Sequence, residues 1–280
     1  MKKKYKVLLA VGLLSLVMPN QSIGSTLTGG DAVDMASADV LLDIAFVIDT
    51  SGSMSDEASQ ISTSMGNIIN NLDCPDCNVW VRADFYGIGG TWGSGSLFNV
   101  NMDYITGNNS DTITNHSEDN APAVTDMVNY YSYWGSDDSL VGQDYYKAIV
   151  TIGDEGTENG YPVDTADWAA AYIANQAAIN NDFMIFSLTG TPWLSYVGQE
   201  AVRDDVFRAM AIGGTGGGYT YGNTGGTFAK TTSSTLEFDI EEIICTAAGG
   251  GDPVPEPATM LLFGTGLVGL VGSRLRKKKK

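Results

Sequence analysis

Asp43-Ile-Ala-Phe-Val-Ile-Asp-Thr-Ser-Gly-Ser-Met-Ser-Asp-Glu57 is the stretch on which the reading of this chain turns. Ile44 to Ile48 is uninterrupted by polar residues, as expected of a strand buried on both faces. It stops at Asp49, after which small oxygen-bearing side chains stand at every second position: Asp49, Ser51 and Ser53. Gly52 lets the backbone turn between the two serines. One carboxylate and two hydroxyls at a strand's end suit a hard divalent cation such as Mg²⁺. Spare coordination positions on such an ion are open to a carboxylate from outside.

By itself Asp-x-Ser-x-Ser also describes many solvated turns. Its place is what matters: it follows a buried strand and precedes an amphipathic segment, and open α/β sheets bind ligands at the carboxyl ends of their strands. Asp49-Thr-Ser-Gly-Ser-Met54 behind that strand resembles the metal-ion-dependent adhesion site (MIDAS) of von Willebrand factor type A domains. The resemblance implies a Rossmann-like α/β fold: a doubly wound, mostly parallel sheet with one antiparallel edge strand and helices on both faces. Aspartyl phosphatases, the rival, place a second Asp two residues after the first, where this chain has Ser51.

Both ends read as addresses. Lys2, Lys3, Lys4 and Lys6 precede the apolar run Val7–Met18, the pattern of a secretory signal peptide over residues 1–24, with cleavage expected after Gly24. A small-residue lead-in (25–39) precedes the domain (40–248). The last segment, 249–280, carries Val254-Pro-Glu-Pro257, a mostly apolar run from Ala258 to Gly272, and the basic cluster Arg274, Arg276 and Lys277–Lys280. A full helical crossing takes about 20 residues, so this run is a short membrane helix whose basic flank stays in the cytoplasm. The order of these features resembles the PEP-CTERM sorting signal read by exosortase. That resemblance implies a transient membrane helix, export across the inner membrane, and delivery to the cell surface or extracellular matrix of a Gram-negative bacterium.

Ten of the 15 basic residues lie in these ends, leaving Arg82, Lys147, Arg203, Arg208 and Lys230 against about 32 acidic ones, a net charge near −27. Such a surface repels nucleic acid and anionic lipid and attracts cations. Three cysteines, Cys74, Cys77 and Cys245, face an oxidising compartment, and the odd number leaves one thiol over or paired elsewhere. Cys74-Pro-Asp-Cys77 has redox spacing, but a strand rather than a helix follows it, which favours a structural role.

Hydrophobic period and turn residues place helices at Ser55–Leu72, Pro122–Trp134, Asp164–Asn180, Gly198–Ile212 and Thr235–Cys245. Strands are expected at Val79–Ile88, Leu97–Ile105, Tyr145–Ile152, Phe183–Leu188 and Thr227–Lys230. The glycine-rich turn Gly89–Gly95 suggests that the first two of these form an edge hairpin. Gly213–Gly226 reads as a long loop. Strands alternating with helices predict a parallel sheet covered on both faces.

A second carboxylate is expected from another strand end, and Asp154 in Gly153-Asp-Glu-Gly156 supplies it. The resemblance implies that Asp154 reaches the metal through water, with Glu155 facing solvent. It also implies a middle ligand in the loop before the third helix, where Ser117–Val124 offers Asp119 but has Pro122 in place of the family's Glu. Glu118 or Thr114 are the substitutes. Family topology sets the first and last helices side by side, implying that Cys245 meets Cys74 or Cys77. The expected metal is Mg²⁺, or Mn²⁺ or Ca²⁺.

The expected function is a secreted or surface-associated adhesion module that captures an acidic group on a protein or polysaccharide. The alternatives are a structural matrix or biofilm protein whose metal only stiffens loops, and a metal-assisted hydrolase. Catalysis has little support: the single histidine, His116, sits in a polar loop, and no Ser/His/Asp or Cys/His spacing is present.

Overall fold

The computed structural model describes residues 28–29, 38–49, 51–54, 78–88, 103–105, 118–131, 134–135, 143–190, 198–232 and 234–249. The expected helix Ser55–Leu72, the signal peptide, the sorting segment, Thr114, His116, Cys74 and Cys77 lie outside them. In chain order the strands are β1 (Thr28–Gly29), β2 (Val40–Ile48), β3 (Val79–Ile88), β4 (Asp103–Ile105), β5 (Asp144–Gly153), β6 (Met184–Thr189), β7 (Gly214–Gly216), β8 (Tyr219–Tyr221) and β9 (Phe228–Lys230). The helices are α1 (Asn120–Tyr130), α2 (Thr165–Asn180), α3 (Glu200–Ile212) and α4 (Leu236–Ala248).

A seven-stranded sheet runs β1-β3-β2-β5-β6-β9, with β4 also on β3. All of its pairings are parallel except β1 with β3. The chain leaves β2 toward β3 on one side and later returns to β5 on the other. That reversal puts the switch point of the sheet between β2 and β5, where α/β folds bind ligands.

Two expectations are corrected. Residues 103–105 do not return along β3 as a hairpin; they pair parallel to it, Tyr86 opposite Asp103. The connection 89–102 exceeds the dozen or so residues that a parallel crossover needs. The antiparallel edge partner comes instead from the lead-in, Thr28 opposite Ala83. Within Gly213–Gly226, β7 and β8 form a small antiparallel hairpin, Gly216 opposite Tyr219. Its two-residue turn uses Gly217 (φ +58°) and Gly218 (φ +89°), the positive-φ pair that matches strand twist.

Alternation along β2 builds two cores. Leu42, Ile44, Phe46 and Ile48 pack with Ile240, Ile243 and Ile244 of α4, while Ala45 and Val47 pack with residues of α1, α2 and α3. Alanines at 121, 123, 171, 174, 178, 209 and 211 let those three helices come close. Each fully buried Ile or Phe contributes roughly 1.5–3 kcal/mol. Polar Asp43 is tolerated in β2 because Arg82 meets it with two hydrogen bonds of 2.7 Å, and Tyr145 Oη and the Gly135 N–H also donate to it. Helix α2 begins with Asp164 accepting from the Ala166 N–H, while Asp167 reaches back to the Asp164 N–H. Trp134 falls outside α1 and stacks edge-on against Tyr131 and Phe183, so these aromatics are packing residues. Among the described residues no helix is long and apolar enough to cross a membrane.

Candidate metal centre at the carboxyl edge of the sheet

β2 and β5 lie side by side, Ile48 opposite Ile152, so their ends reach the same rim. The Asp49 N–H continues the ladder, donating to the Ile152 carbonyl at 2.9 Å. Asp49 then caps its own turn: its Oδ1 accepts from the Ser51 N–H at 2.7 Å, an Asx turn that sends the chain into a short 3₁₀ turn, Gly52–Met54. The turn brings the Ser51 and Ser53 hydroxyls to 2.7 Å of each other. Ser53 Oγ donates to Asp154 Oδ1 at 3.0 Å. Asp49, Ser51, Ser53 and Asp154 therefore form one connected set across the switch point.

Burial loads this set electrostatically. Asp49 and Asp154 are at most 1% exposed, and among the described residues Asp49 Oδ2 has no hydrogen-bond donor. Burial, then the nearby Asp154 carboxylate, pushes the Asp49 carboxyl well up, with Glu118 adding to the effect. Glu155 is pushed up to about 8 by burial, by Glu118 and Asp154, and by a hydrogen bond with Glu118. It is 9% exposed, which corrects the expectation that it faces solvent. A side chain at Gly160 would strike the Glu118 carboxylate and stand 2.8 Å from that of Glu155, so a glycine there lets the two acids lie together.

The middle loop is seated by a buried contact. Thr151 Oγ1 donates to Asn120 Oδ1 at 2.6 Å, and a Cβ at Gly153 would come within 2.6 Å of Asn120 Nδ2. Glycine at the end of β5 thus admits the start of α1 and carries Glu118 and Asp119 to the rim. Asp119 is buried with its Oδ1 accepting from the Asn159 N–H at 2.9 Å. Glu118, kept only as a substitute in the sequence reading, is the acid of this loop that acts on both Asp49 and Glu155. Sequence reasoning also missed Arg203, whose Nη1 donates to the Asp154 carbonyl at 2.7 Å. Its one signal was scarcity, as one of five basic residues between the two ends.

This donor set fits a divalent cation. Hard oxygens converge, Asp49 Oδ2 lacks a donor among the described residues, and neighbouring acids raise each other's proton affinity where a cation would relieve them. Among the described residues no group of three or more His, Cys, Asp or Glu side chains has metal-binding spacing; the set here mixes two carboxylates with two hydroxyls. Away from the site, Cys245 in α4 is disulfide-bonded.

Residues 253–277 match the family described as the PEP-CTERM protein-sorting motif. The motif implies export, processing by an exosortase, and a surface or extracellular location in a Gram-negative bacterium. No model of the von Willebrand factor type A family matches the chain. Among curated proteins nothing matches. Among solved structures, the D319A mutant of the PilB minor pilin from Streptococcus sanguinis is similar with a TM-score of 0.43 and 10% identity, covering 76% of this chain and 63% of that one. The PilB minor pilin from Streptococcus sanguinis gives a TM-score of 0.39 and 11% identity, covering 77% and 64%. The chain thus spans less than two thirds of either pilin, and likeness at this level carries no inference about function.

Proposed function

We propose that this exported protein is an adhesion module of the von Willebrand factor type A kind that captures an acidic group through a divalent cation, Mg²⁺ or alternatively Mn²⁺ or Ca²⁺. The observation that carries the reading is the hydrogen-bonded set Asp49–Ser51–Ser53–Asp154 at the switch point, with Asp49 Oδ2 buried and lacking a donor among the described residues. When bound, the cation would supply a point of positive charge with a coordination position for an outside carboxylate. Asp49 and Asp154 supply the charge that holds it, and Ser51 and Ser53 add neutral oxygens.

The use of the other cations supports this. Arg82 is committed to Asp43, and Arg203 and Lys230 to Asp204. Lys147 donates to the Asn181 carbonyl and lies over the Phe183 ring, and Arg208 lies over the Phe228 ring. No other Lys or Arg occurs between residues 7 and 273, so few basic side chains are open to an acidic ligand in that span. A metal ion would supply the attraction that they do not. The ligand class is a protein or polysaccharide bearing a carboxylate.

A second reading, in which the metal only stiffens the rim of a matrix protein, is favoured by the burial of Asp49 and Asp154. A binding screen against acidic glycans and surface proteins, run with Mg²⁺, with chelator and with Asp49→Ala, separates the two. Capture that needs both Mg²⁺ and Asp49 supports adhesion. Metal-dependent stability with no capture supports the stiffening role, and absence of Mg²⁺, Mn²⁺ and Ca²⁺ binding rejects both. No catalytic role is assigned.

A further inference from the structure

We propose that Arg203 is the positioning residue of the metal centre, fixing the backbone of Asp154 from behind so that its carboxylate stays at the rim; this rests on the metal-binding reading above. Arg203 is 3% exposed and spends its guanidinium on two carbonyls and one carboxylate. Nη1 donates to the Asp154 carbonyl at 2.7 Å and to the Gly190 carbonyl at 3.1 Å. Nε and Nη2 both donate to Asp204 Oδ1, at 3.0 and 2.7 Å.

Those contacts join the ends of three strands. Asp154 follows β5 and Gly190 follows β6, and the Gly190 N–H donates to the Gly153 carbonyl at 2.9 Å. Thr189 at the end of β6 donates to Asp204 Oδ1, and Lys230 at the end of β9 pairs with the other Asp204 oxygen. Burial opposes charge on Asp204, but hydrogen bonds from Lys230 and Arg203 outweigh it and hold its carboxyl below the usual range. Asp204 therefore stays charged and keeps the Arg203 fork aimed at the Asp154 carbonyl.

Only a planar fork of fixed donors serves carbonyls on two strand ends and a carboxylate at once; a lysine ammonium does not reproduce that geometry. Ser53 meets Asp154 through the carboxylate. The residue is thus gripped at its backbone by α3 and at its side chain by the Asp49 loop. Partners that orient a metal ligand are typically worth 10–100-fold in affinity.

The test uses the exported protein, Mn²⁺ as probe and Arg203→Lys as the variant. Arg208→Lys, an exposed arginine of the same helix, serves as control. The expected result is a Mn²⁺ affinity at least about tenfold weaker for Arg203→Lys and unchanged for Arg208→Lys. Amide exchange without metal should quicken at Gly190 and Asp49 while mid-strand Ala45 and Ile149 keep wild-type rates. Unchanged affinity with a uniform rise in exchange would overturn the proposal, since that is what a merely structural arginine gives. If Arg203→Lys does not fold, Asp204→Asn keeps an acceptor oxygen, loosens the fork, and should weaken Mn²⁺ binding in the same direction. Failure of the wild-type protein to bind Mn²⁺, Mg²⁺ or Ca²⁺ would reject the metal reading instead, and local exchange at Gly190 and Asp49 would then decide the positioning claim.

Discussion

Ser53 Oγ donates to Asp154 Oδ1 at 3.0 Å, a contact between residues 101 positions apart. It closes the rim between β2 and β5, whereas Ser51 builds the turn through its backbone N–H. The Ser51 hydroxyl also bonds Ser53 and Asp49. Ser53→Ala and Ser51→Ala should therefore each cost about 1 kcal/mol in metal-free stability, and both remove a hydroxyl of the proposed metal site and weaken Mn²⁺ binding. Urea melts in chelator, set beside calorimetric titration with Mn²⁺, check both; a variant that keeps wild-type stability in chelator would contradict its place in the set.

Stability should depend on pH in a way that metal reverses. Asp49 and Glu155 both have proton affinities raised in the fold, chiefly by burial. Between the unfolded Glu value of 4.5 and the folded value of about 8, the native state holds more protons than the unfolded one. Stability from Glu155 is therefore full below the lower value and is lost as pH rises through the upper. In chelator the protein should weaken from pH 5 to pH 8, by roughly 1–2 kcal/mol once screening by water at the rim is allowed for. Asp204 does not interfere, because its lowered carboxyl titrates in more acid solution. Saturating Mg²⁺ should flatten the slope. Melting temperatures from pH 5 to 8 that rise in chelator would exclude this account.

Much of the fold was legible because local signals agreed. Ile44–Ile48, Val79–Ile88 and Tyr145–Ile152 carry unbroken or alternating apolar patterns, and each is a strand within a few residues. Pairing partners were not legible at the edge. The three residues Asp103–Ile105 carry no direction in their pattern, and a glycine turn suits a hairpin or a crossover equally. At the site, the Asp49 turn was readable because its spacing is local. Glu118, Glu155 and Arg203 were not, since burial of a charge depends on what arrives from elsewhere: Gly160 makes room for the two acids, and Asp204 makes Arg203 affordable.

Asp43 is the acid within β2, and its environment is the reverse of that of Asp49 just beyond the strand. Arg82 meets both its oxygens, and Tyr145 and Gly135 complete its shell. Arg82→Met should strand a buried carboxylate and cost about 3–5 kcal/mol. Asp43→Asn with Arg82→Met together should cost less than the sum of the singles, because neither charge is then left alone. Denaturation midpoints of the double-mutant cycle give the coupling, and strict additivity would show the pair to be incidental.

Cys245 is bonded, and the chain has only Cys74 and Cys77 to offer it. Such a bridge closes a very long loop, worth on the order of 4 kcal/mol in the chain-entropy model. Reduction should lower the denaturation midpoint accordingly, and Cys245→Ser should reproduce the loss. Peptide mapping without reductant that found only Cys74 joined to Cys77 would remove the effect's cause.

The β7–β8 hairpin gives the sharpest contrast between two adjacent glycines. Tyr221 Oη donates to the Trp168 carbonyl at 2.6 Å, and Tyr219 stacks on Tyr172 at 4.8 Å, so the hairpin is clamped on α2. At Gly217 (φ +58°) an added Cβ would collide with Trp168; at Gly218 (φ +89°) it would meet nothing within 4 Å. Gly218→Ala should therefore cost only the backbone term, roughly 1–2 kcal/mol. Gly217→Ala should add overpacking of about 1–3 kcal/mol and lift the hairpin from the helix. Near-ultraviolet circular dichroism of the Trp168–Tyr172–Tyr219–Tyr221 cluster should fall for Gly217→Ala and hold for Gly218→Ala. Equal behaviour would mean that the aromatic clamp does not set the hairpin's position.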